Sequence, residues 1–217
     1  MYFEAYRKRL NSVTRPQEDF WKKTITKSYA EDNSQFDEKL GLLAWSQMLE
    51  KVESSEIKSF LDCGSNIGRN VRFLSKFLPN AEANIIELAE DPYNKCKEDF
   101  VIAESYLGPI KEASFSNKFD LVFTNTVLIH INPDDLLKSM EKMYEFSSKY
   151  ILICEYFNRT PVMIEYRGEL DMLFKRDFGK LFIENFNCEI VDYGFLWGHQ
   201  FDNAGFDDIT YWLFRKK

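Results

Sequence analysis

The residues best placed to do chemistry form a short loop, Asp62-Cys63-Gly64-Ser65-Asn66-Ile67-Gly68, at the end of an apolar segment that begins at Ile57. Gly64 lets the backbone turn sharply and lets a ligand approach closely, because glycine has no Cβ. Gly68 lets the next helix start tightly against a sheet, and Asn66 tolerates left-handed backbone better than most residues. Such a loop at the carboxyl end of a strand is typical of sites that bind a nucleoside-containing cofactor.

The spacing of the small residues separates two classes of cofactor. A nicotinamide-binding loop requires glycine at relative positions one, three and six, and here only Gly64 matches, since Asn66 and Arg69 hold the other two positions. The S-adenosylmethionine register, acid-x-Gly-x-Gly-x-Gly, is matched at three of four positions. The loop therefore predicts S-adenosylmethionine as the cofactor, with binding residues Asp62, Cys63, Gly64, Asn66 and Gly68.

Further cofactor contacts are predicted at the ends of later strands. Glu87 ends the second strand, 19 residues after Gly68. A carboxylate there can accept hydrogen bonds from both hydroxyls of a ribose, although a solvated acid at a strand end is the alternative. The other candidates are Glu104 and Ser105 near the adenine, Thr124, Asn125 and Thr126 near the methionine end, and Tyr29 and Asn33 from an N-terminal lid.

Transfer of a methyl group to an oxygen also requires a base that removes a proton. Three candidate catalytic residues lie near the same edge of the predicted sheet: His130, Glu155 and Asp177. Each has a structural alternative. His130 can instead tie its strand to the helix cap at Asn132. Glu155 can be a solvated acid, and Asp177 can pair with the neighbouring Lys175 and Arg176.

The stretch from Tyr166 to Asp177, between the fifth strand and the next helix, is the predicted acceptor site. Arginine binds a carboxylate or phosphate through two parallel hydrogen bonds. We therefore expect Arg167 or Arg176 to hold a carboxylate or phosphate of the acceptor, with surface ion pairing as the alternative. The predicted substrate-binding residues are Tyr156, Tyr166, Arg167 and Arg176.

Positioning these residues requires a sheet whose strand ends meet at one edge. Short apolar segments alternate with amphipathic segments at helical spacing, which predicts a parallel sheet with helices on both faces. Two late segments leave no room for a helix between them and are expected to pair antiparallel. The predicted strands are 57–63, 83–88, 100–103, 119–124, 150–154, 189–195 and 208–214.

The predicted fold class is therefore α/β, a doubly wound, mostly parallel seven-stranded sheet of Rossmann-like type with an N-terminal helical extension. Residues 1–36 are expected to form a helical cap or lid. Residues 37–217 are expected to form a methyltransferase domain that binds S-adenosylmethionine.

Composition limits the partners. The net charge is −7 and the basic residues are scattered, so no nucleic-acid partner is expected. The four cysteines are far apart, in no arrangement typical of a zinc or redox site, and no metal is expected. No apolar run approaches the ~18 residues of a membrane span, and no signal sequence is recognisable. We expect no membrane partner and a cytoplasmic location.

The chain resembles the class I S-adenosylmethionine-dependent methyltransferases and, more narrowly, the methylases associated with pseudaminic acid biosynthesis. The narrower resemblance covers roughly residues 17–214 and includes Asn66, which is usual in that family. It implies transfer of a methyl group to a sugar in a bacterial pathway. The alternatives are an unrelated small-molecule acceptor, or a module that binds the cofactor without turnover. The resemblance rests on residues 64–70, 127–133, 155–158, 166–168, 173–178, 191–195 and 207–210.

Overall fold

The computed structural model describes residues 16–24 and 36–217. The strands, in chain order, are β1 (Ser59–Cys63), β2 (Glu82–Glu87), β3 (Ser105–Leu107), β4 (Phe119–Asn125), β5 (Ser147–Glu155), β6 (Val162–Tyr166), β7 (Glu169–Lys175), β8 (Cys188–Leu196) and β9 (Ile209–Lys216). The α-helices are α1 (Pro16–Thr24), α2 (Glu38–Met48), α3 (Arg69–Phe77), α4 (Glu90–Asp99), α5 (Pro133–Phe146), α6 (Phe178–Asn185) and α7 (Gly198–Phe201).

The main sheet has the topology that the sequence predicts. Its seven strands are ordered β3-β2-β1-β4-β5-β9-β8. Strands β1 to β5 pair in parallel, and β9 runs antiparallel to both β5 and β8. The strand order reverses between β1 and β4, which is where doubly wound sheets bind ligands. The prediction of a mostly parallel seven-stranded sheet is confirmed.

Each face of the main sheet carries its own apolar layer. Successive residues on β1 point to opposite faces, so Phe60 belongs to the layer under α2 and Leu61 to the layer under α5 and α6. In the first layer, the Trp45 and Phe123 rings meet edge to face with centroids 4.9 Å apart. Burying one such side chain stabilises the fold by about 2 kcal/mol. This packing fixes the strand ends that carry the predicted site.

Helix α5 begins where the sequence predicts. The Asn132 side chain accepts a hydrogen bond from the Asp134 N–H at 2.9 Å, and Pro133 occupies the first turn. An asparagine cap satisfies a backbone donor that the helix leaves open, and proline there has no N–H to satisfy. The cap holds the start of α5 close to the end of β4.

The third strand lies later than predicted. Residues 100–103 do not form a strand, and β3 is Ser105–Leu107. The reason is local: Phe100 ends α4 through a hydrogen bond from its N–H to the carbonyl of Cys96. Residues 101–104 then lead the chain back to the sheet. The Ala103 N–H donates to the carbonyl of Ala83 at 2.9 Å, just before β3 begins.

Residues 162–175 form a β-hairpin outside the main sheet, in which β6 pairs antiparallel with β7. Arg167 and Gly168 connect the two strands with φ values of 53° and 81°. Left-handed backbone at both central residues is the arrangement of a type I′ turn, whose twist matches that of the strands. The segment predicted to bind the acceptor is thus a hairpin that projects from the end of β5.

Helix α1 lies within the predicted N-terminal cap. The predicted contacts of Tyr29 and Asn33 lie outside the described residues, and the predicted domain boundary at residue 36 stays a prediction. Across residues 16–24 and 36–217, no helix combines the length and apolar character that crossing a membrane requires.

Candidate functional site

The carboxyl ends of β1, β2 and β4 open into a cavity of about 370 Å³, a volume within the range of small-molecule sites. The predicted site residues that line it are Gly64, Asn66, Glu87, Asn125, Thr126, His130, Tyr156 and Tyr166. The predicted site residues that do not line it are Asp62, Cys63, Gly68, Glu104, Ser105, Thr124, Glu155, Arg167, Arg176 and Asp177.

The loop after β1 has a backbone that demands its small residues. Gly64, Asn66 and Gly68 have φ values of 99°, 50° and 87°. A Cβ on Gly64 would lie 2.5 Å from a methyl carbon of Val127, and one on Gly68 would lie 2.6 Å from the Phe100 ring. Asparagine is one of the few other residues that adopts left-handed backbone readily. Gly64 and Gly68 are therefore required both by left-handed backbone and by the Val127 and Phe100 side chains that pack directly against them.

Glu87 is hydrogen-bonded to that loop. One carboxylate oxygen accepts from the Asn66 N–H at 2.7 Å, and the other accepts from the Ala89 N–H at 2.9 Å. Burial raises the pKa of this carboxyl, and these backbone donors limit the rise. Each carboxylate oxygen has a further lone pair, so Glu87 can also accept hydrogen bonds from two neighbouring hydroxyls of a ligand. The sequence placed the loop and this acid at one site, and the structure brings them together.

Asp62 and Cys63 lie behind the loop, within the sheet. Asp62 is fully buried, and its two oxygens have no hydrogen-bond partner among the described residues. Burial raises the pKa of the Asp62 carboxyl to about 8, although the charge of Arg69 opposes the rise. Burial also raises the pKa of the Cys63 thiol. Asp62 and Cys63 do not line the cavity; they form the end of β1 that leads into Gly64.

The end of β4 supplies a second polar wall. Asn125 and Thr126 line the cavity, whereas Thr124 is buried within the sheet. The Asn125 amide donates to Asn70 Oδ1 at 3.3 Å, and its own Oδ1 is buried with no partner among the described residues. A buried unpaired acceptor fits a donor group of a ligand. Asn70 and Arg69 line the cavity too, and the sequence analysis missed them because they belong to the first turn of α3.

The predicted adenine contacts fall at the wrong end of β3. Glu104 precedes the strand and accepts from the Asn117 amide at 2.5 Å. Ser105 begins the strand and shares a hydrogen bond of 2.8 Å with the Tyr93 hydroxyl. Residues 108–111, which follow β3, line the cavity instead. The error follows from placing the third strand too early in the chain.

His130 lies at the other end of the cavity, among aromatic rings. Its Nδ1 is 2.6 Å from the carbonyl oxygen of Met172. The centroids of the Trp21 and Tyr166 rings are 4.4 Å and 5.1 Å from that of the imidazole. Burial lowers the pKa of His130 to about 4, with the Met172 hydrogen bond opposing the shift. The imidazole is therefore neutral at pH 7.

Glu155 and Asp177, the other two candidate bases, have structural roles. The fully buried Glu155 carboxylate accepts from three consecutive backbone N–H groups, those of Val127, Leu128 and Ile129, at 2.9–3.3 Å. Burial raises the pKa of this carboxyl to about 7, and the backbone donors oppose that rise. Asp177 caps α6 by accepting from the Lys180 N–H at 2.8 Å. Neither carboxylate faces the cavity, which corrects the prediction.

The two arginines predicted to hold an anionic group of the acceptor, Arg167 and Arg176, do not line the cavity. Arg167 lies in the hairpin turn with its guanidinium 5.7 Å from the Tyr166 ring centre. Arg176 lies against the rings of Phe174 and Phe178, at 6.0 Å and 5.8 Å. Guanidinium groups stack readily on aromatic faces. Of the four predicted substrate-binding residues, Tyr156 and Tyr166 line the cavity, and the two arginines do not.

Helix α1 covers the cavity. The sequence analysis predicted an N-terminal cap but did not name the residues of α1 that line the cavity. Gln17, Glu18 and Trp21 of this helix line it. The Gln17 amide donates to the carbonyl of Asp171 in the hairpin at 2.9 Å and accepts from the Asn132 amide at 3.1 Å. We refer to α1 as the roof helix.

A buried ion-pair network holds the first turn of the roof helix beside Gln17. Lys111, with 7% of its side chain exposed, donates to Glu18 of the roof helix at 2.6 Å and to Asp135 of α5 at 2.8 Å. A lysine this deeply buried requires such partners, because removing its charge from water is costly. The network joins the roof helix, the segment after β3 and α5.

Comparison with known proteins defines the fold. No family model matches the sequence, and no curated protein matches it. Solved structures do match. Magnesium protoporphyrin IX methyltransferase from Synechocystis PCC 6803 with bound SAM has a TM-score of 0.67 at 8% identity, over 95% of this chain and 100% of that one.

Two further matches have the same architecture. The 1,6-didemethyltoxoflavin-N1-methyltransferase of Burkholderia thailandensis, with S-adenosylhomocysteine bound, has a TM-score of 0.64 at 14% identity, over 95% of this chain and 92% of that one. N-methyltransferase NodS from Bradyrhizobium japonicum WM9 has a TM-score of 0.62 at 15% identity, over 83% and 98% of the two chains. The chain therefore has the Rossmann-like fold of S-adenosylmethionine-dependent methyltransferases.

Proposed function

We propose that this protein is an S-adenosylmethionine-dependent methyltransferase that acts on a small molecule. The observation that carries the proposal is the hydrogen bond between the Glu87 carboxylate and the Asn66 N–H at 2.7 Å, at the wall of the cavity. It supports the proposal because a carboxylate able to accept two ribose hydroxyls lies against a loop that requires glycine. Two of the matched solved structures contain SAM or S-adenosylhomocysteine, which agrees with the same cofactor here.

The residues present fit this cofactor at both of its polar ends. Glu87 would accept the ribose hydroxyls, and the unpaired Oδ1 of Asn125 would accept from the amino group of the methionine part. Arg69, which lines the cavity next to the loop, would face the methionine carboxylate. When bound, the cofactor supplies an electrophilic methyl group on a positively charged sulfur. The protein holds the acceptor in line with that group and excludes water.

The proposed acceptor is a hydroxylated ring, and a sugar is the class we favour. The Tyr156 hydroxyl donates to Asp207 at 3.1 Å, and both residues line the cavity, so hydroxyl and carboxylate groups are available for a polyhydroxylated ligand. Trp21 and Tyr166 offer aromatic faces to the ring. The resemblance of residues 155–178 to pseudaminic acid-associated methylases supports a role in nonulosonic acid or surface-glycan biosynthesis.

We further propose that the roof helix is a lid. Its contacts with the rest of the protein include side-chain bonds from Gln17 and Glu18 to three other segments. It covers the cavity in which both ligands are proposed to bind. Side-chain bonds of this kind can break and re-form as a unit, as a closing element requires.

Isothermal titration calorimetry tests the cofactor assignment. We expect S-adenosylmethionine and S-adenosylhomocysteine to bind and NADH not to bind. Glu87→Gln should weaken binding by about 10- to 150-fold, because losing hydrogen bonds to a charged group costs about 1.5–3 kcal/mol. Glu104→Gln is the matched control, since Glu104 does not line the cavity, and it should bind as the wild type does. Equal affinity in the two variants would contradict the proposed site.

Release of S-adenosylhomocysteine separates an enzyme from a module that only holds the cofactor. The assay supplies S-adenosylmethionine with a mixture of free and nucleotide-linked sugars, and measures product by mass spectrometry. Release above the acceptor-free rate supports the enzyme. Tight cofactor binding without release from sugars or from other small molecules supports the binding module.

A further inference from the structure

We propose that His130 is the general base of this protein, that it acts through Nε2, and that the acceptor is methylated on a ring hydroxyl. The inference rests on the proposed function and names the base and the substrate class of the same site. It comes from the hydrogen bonding of the imidazole, from the aromatic rings around it and from the charged groups that are paired elsewhere.

The Met172 carbonyl fixes which nitrogen of His130 carries the proton. A carbonyl oxygen accepts hydrogen bonds and cannot donate one. At 2.6 Å, Nδ1 must therefore carry the hydrogen. A neutral imidazole has one N–H, so Nε2 keeps its lone pair. Burial favours this neutral form by lowering the pKa of His130 to about 4.

Nε2 is left for a ligand. Among the described residues, the hydrogen bond of His130 is that of Nδ1, and the side chain lines the cavity. The imidazole is carried by the 3₁₀ turn Leu128–His130. The backbone of this turn is held in place because the N–H groups of residues 127–129 donate to the Glu155 carboxylate. The position of the base is thus set independently of any ligand.

Five acids among the described residues line the cavity. Glu18 and Asp135 share the charge of Lys111, Asp207 accepts from the Tyr156 hydroxyl, and Glu87 accepts from the Asn66 N–H of the cofactor loop. The fifth, Asp202, begins the turn that leads to Gly205, a residue that lies against the Arg69 side chain. His130 is the group that offers a basic nitrogen among the Trp21 and Tyr166 rings.

The need for such a base identifies the reacting atom. In transfer to a hydroxyl, the acceptor oxygen forms the new C–O bond as the C–S bond breaks and its electron pair returns to sulfur. The hydroxyl proton passes to Nε2, which leaves an imidazolium that solvent later deprotonates. A neutral amine attacks with its own lone pair and needs no base before the attack.

The groups around His130 are suited to binding an acceptor with an uncharged ring. Trp21 from the roof helix and Tyr166 from β6 lie on the imidazole with their ring centroids 5.9 Å apart. The groups that face His130 are the Trp21 ring, the Tyr166 phenol and the Met172 carbonyl. Burial and that carbonyl are the causes of the shift in its pKa, so no ionised group among residues 16–24 and 36–217 sets its protonation.

Histidine-selective ¹⁵N NMR tests the base without any acceptor. The chain has two histidines, and His199→Asn assigns the spectrum because His199 does not line the cavity. We expect His130 at pH 7 to be neutral, with its proton on Nδ1, and to titrate well below the ordinary value of about 6.5. An Nε2–H tautomer or an imidazolium at pH 7 would overturn the inference.

Two substitutions separate the roles of the two ring nitrogens. His130→Asn keeps an N–H donor where Nδ1 donates to Met172 but has no base at the position of Nε2. His130→Gln places an amide near Nε2, without basicity. His199→Asn is the matched control. All three variants should bind S-adenosylhomocysteine with the wild-type Kd, because none of them alters the cofactor loop.

Activity is measured with a library of free sugars, nucleotide-linked sugars and phenols, and with a matched library of ring amines. We expect release of S-adenosylhomocysteine with hydroxyl compounds. His130→Asn should lower kcat by about 100-fold with little change in KM, and its rate should rise with pH. Turnover with amines alone or with neither library, or an unchanged kcat in His130→Asn, would refute the inference.

The outcomes distinguish this inference from the proposed function. If the wild type binds no S-adenosylmethionine, the proposed function fails whatever the tautomer of His130. If the cofactor binds and hydroxyl compounds are methylated equally by the wild type and His130→Asn, only the inference about the base fails.

Discussion

Replacing Asp62 by asparagine should stabilise the protein at neutral and alkaline pH. Asp62 is fully buried, its oxygens lack hydrogen-bond partners among the described residues, and its pKa is raised to about 8 by burial. At pH 7 the folded protein therefore holds the carboxyl protonated, while the unfolded chain ionises it. Asparagine has the shape of the protonated acid and never ionises.

The pH dependence follows from the direction of the pKa shift. An acid whose pKa is raised by folding gives full stability below its unfolded pKa, 3.8 here, and loses it as pH rises toward about 8. Each pH unit in that window costs about 1.4 kcal/mol, so about three units up to pH 7 cost about 4 kcal/mol. Entry of water into the site reduces this cost. We expect Asp62→Asn to gain about 2–4 kcal/mol at pH 7 and almost nothing near pH 4.

Urea denaturation of the cofactor-free protein at several pH values measures this gain. Asp120→Asn is the control with the opposite sign. Burial alone would raise the pKa of Asp120, but the Lys58 N–H and the Lys149 and Ser148 side chains lower it. Its stabilisation is present above the unfolded pKa and is lost as pH falls, so this variant should be less stable at pH 7. A gain for Asp62→Asn that does not grow with pH would refute the reasoning.

Three further predictions concern single contacts. Gly64→Ala forces a Cβ into left-handed backbone and should cost at least ~2 kcal/mol and abolish S-adenosylhomocysteine binding by calorimetry. Gly168→Ala, where a Cβ meets nothing within 4 Å, should leave that binding intact. Lys111→Met leaves a buried carboxylate unpaired and should cost about 3 kcal/mol in urea denaturation, against about 1 kcal/mol for Glu18→Gln; equal losses would contradict the network. Glu155→Leu removes the acceptor of three buried N–H groups and should lower the free energy of unfolding by about 1–3 kcal/mol, and an unchanged value would contradict its structural role.

The sequence predicted the parts of the site that depend on local chemistry. The loop at 62–68 and Glu87 are recognisable because left-handed backbone and a strand-end carboxylate require particular residue types. The alternation of apolar segments predicted the sheet, since strands and helices have different periods. The misplaced third strand shows the limit of that reasoning, because residues 100–103 are apolar without forming a strand: Phe100 ends α4 and Val101 is exposed.

The rest of the site depends on contacts between distant parts of the chain. Gln17 meets Asp171 across 154 residues, and Glu18 meets Lys111 across 93. No local pattern specifies such pairs. The hairpin was missed for another reason: its turn is Arg167-Gly168, whereas Asn-Gly or Asp-Gly is the usual sign of a type I′ turn. Five of its twelve strand residues are exposed, so the apolar alternation is weak.

Gln17, Glu18 and Trp21 lie within about one turn of the roof helix, and all three line the cavity. On the proposal that this helix is a lid, a single opening would admit the acceptor and release both products. Each cycle would then require the Lys111–Glu18 ion pair to separate and re-form, and the frequency of that event would limit turnover however fast the methyl group is transferred.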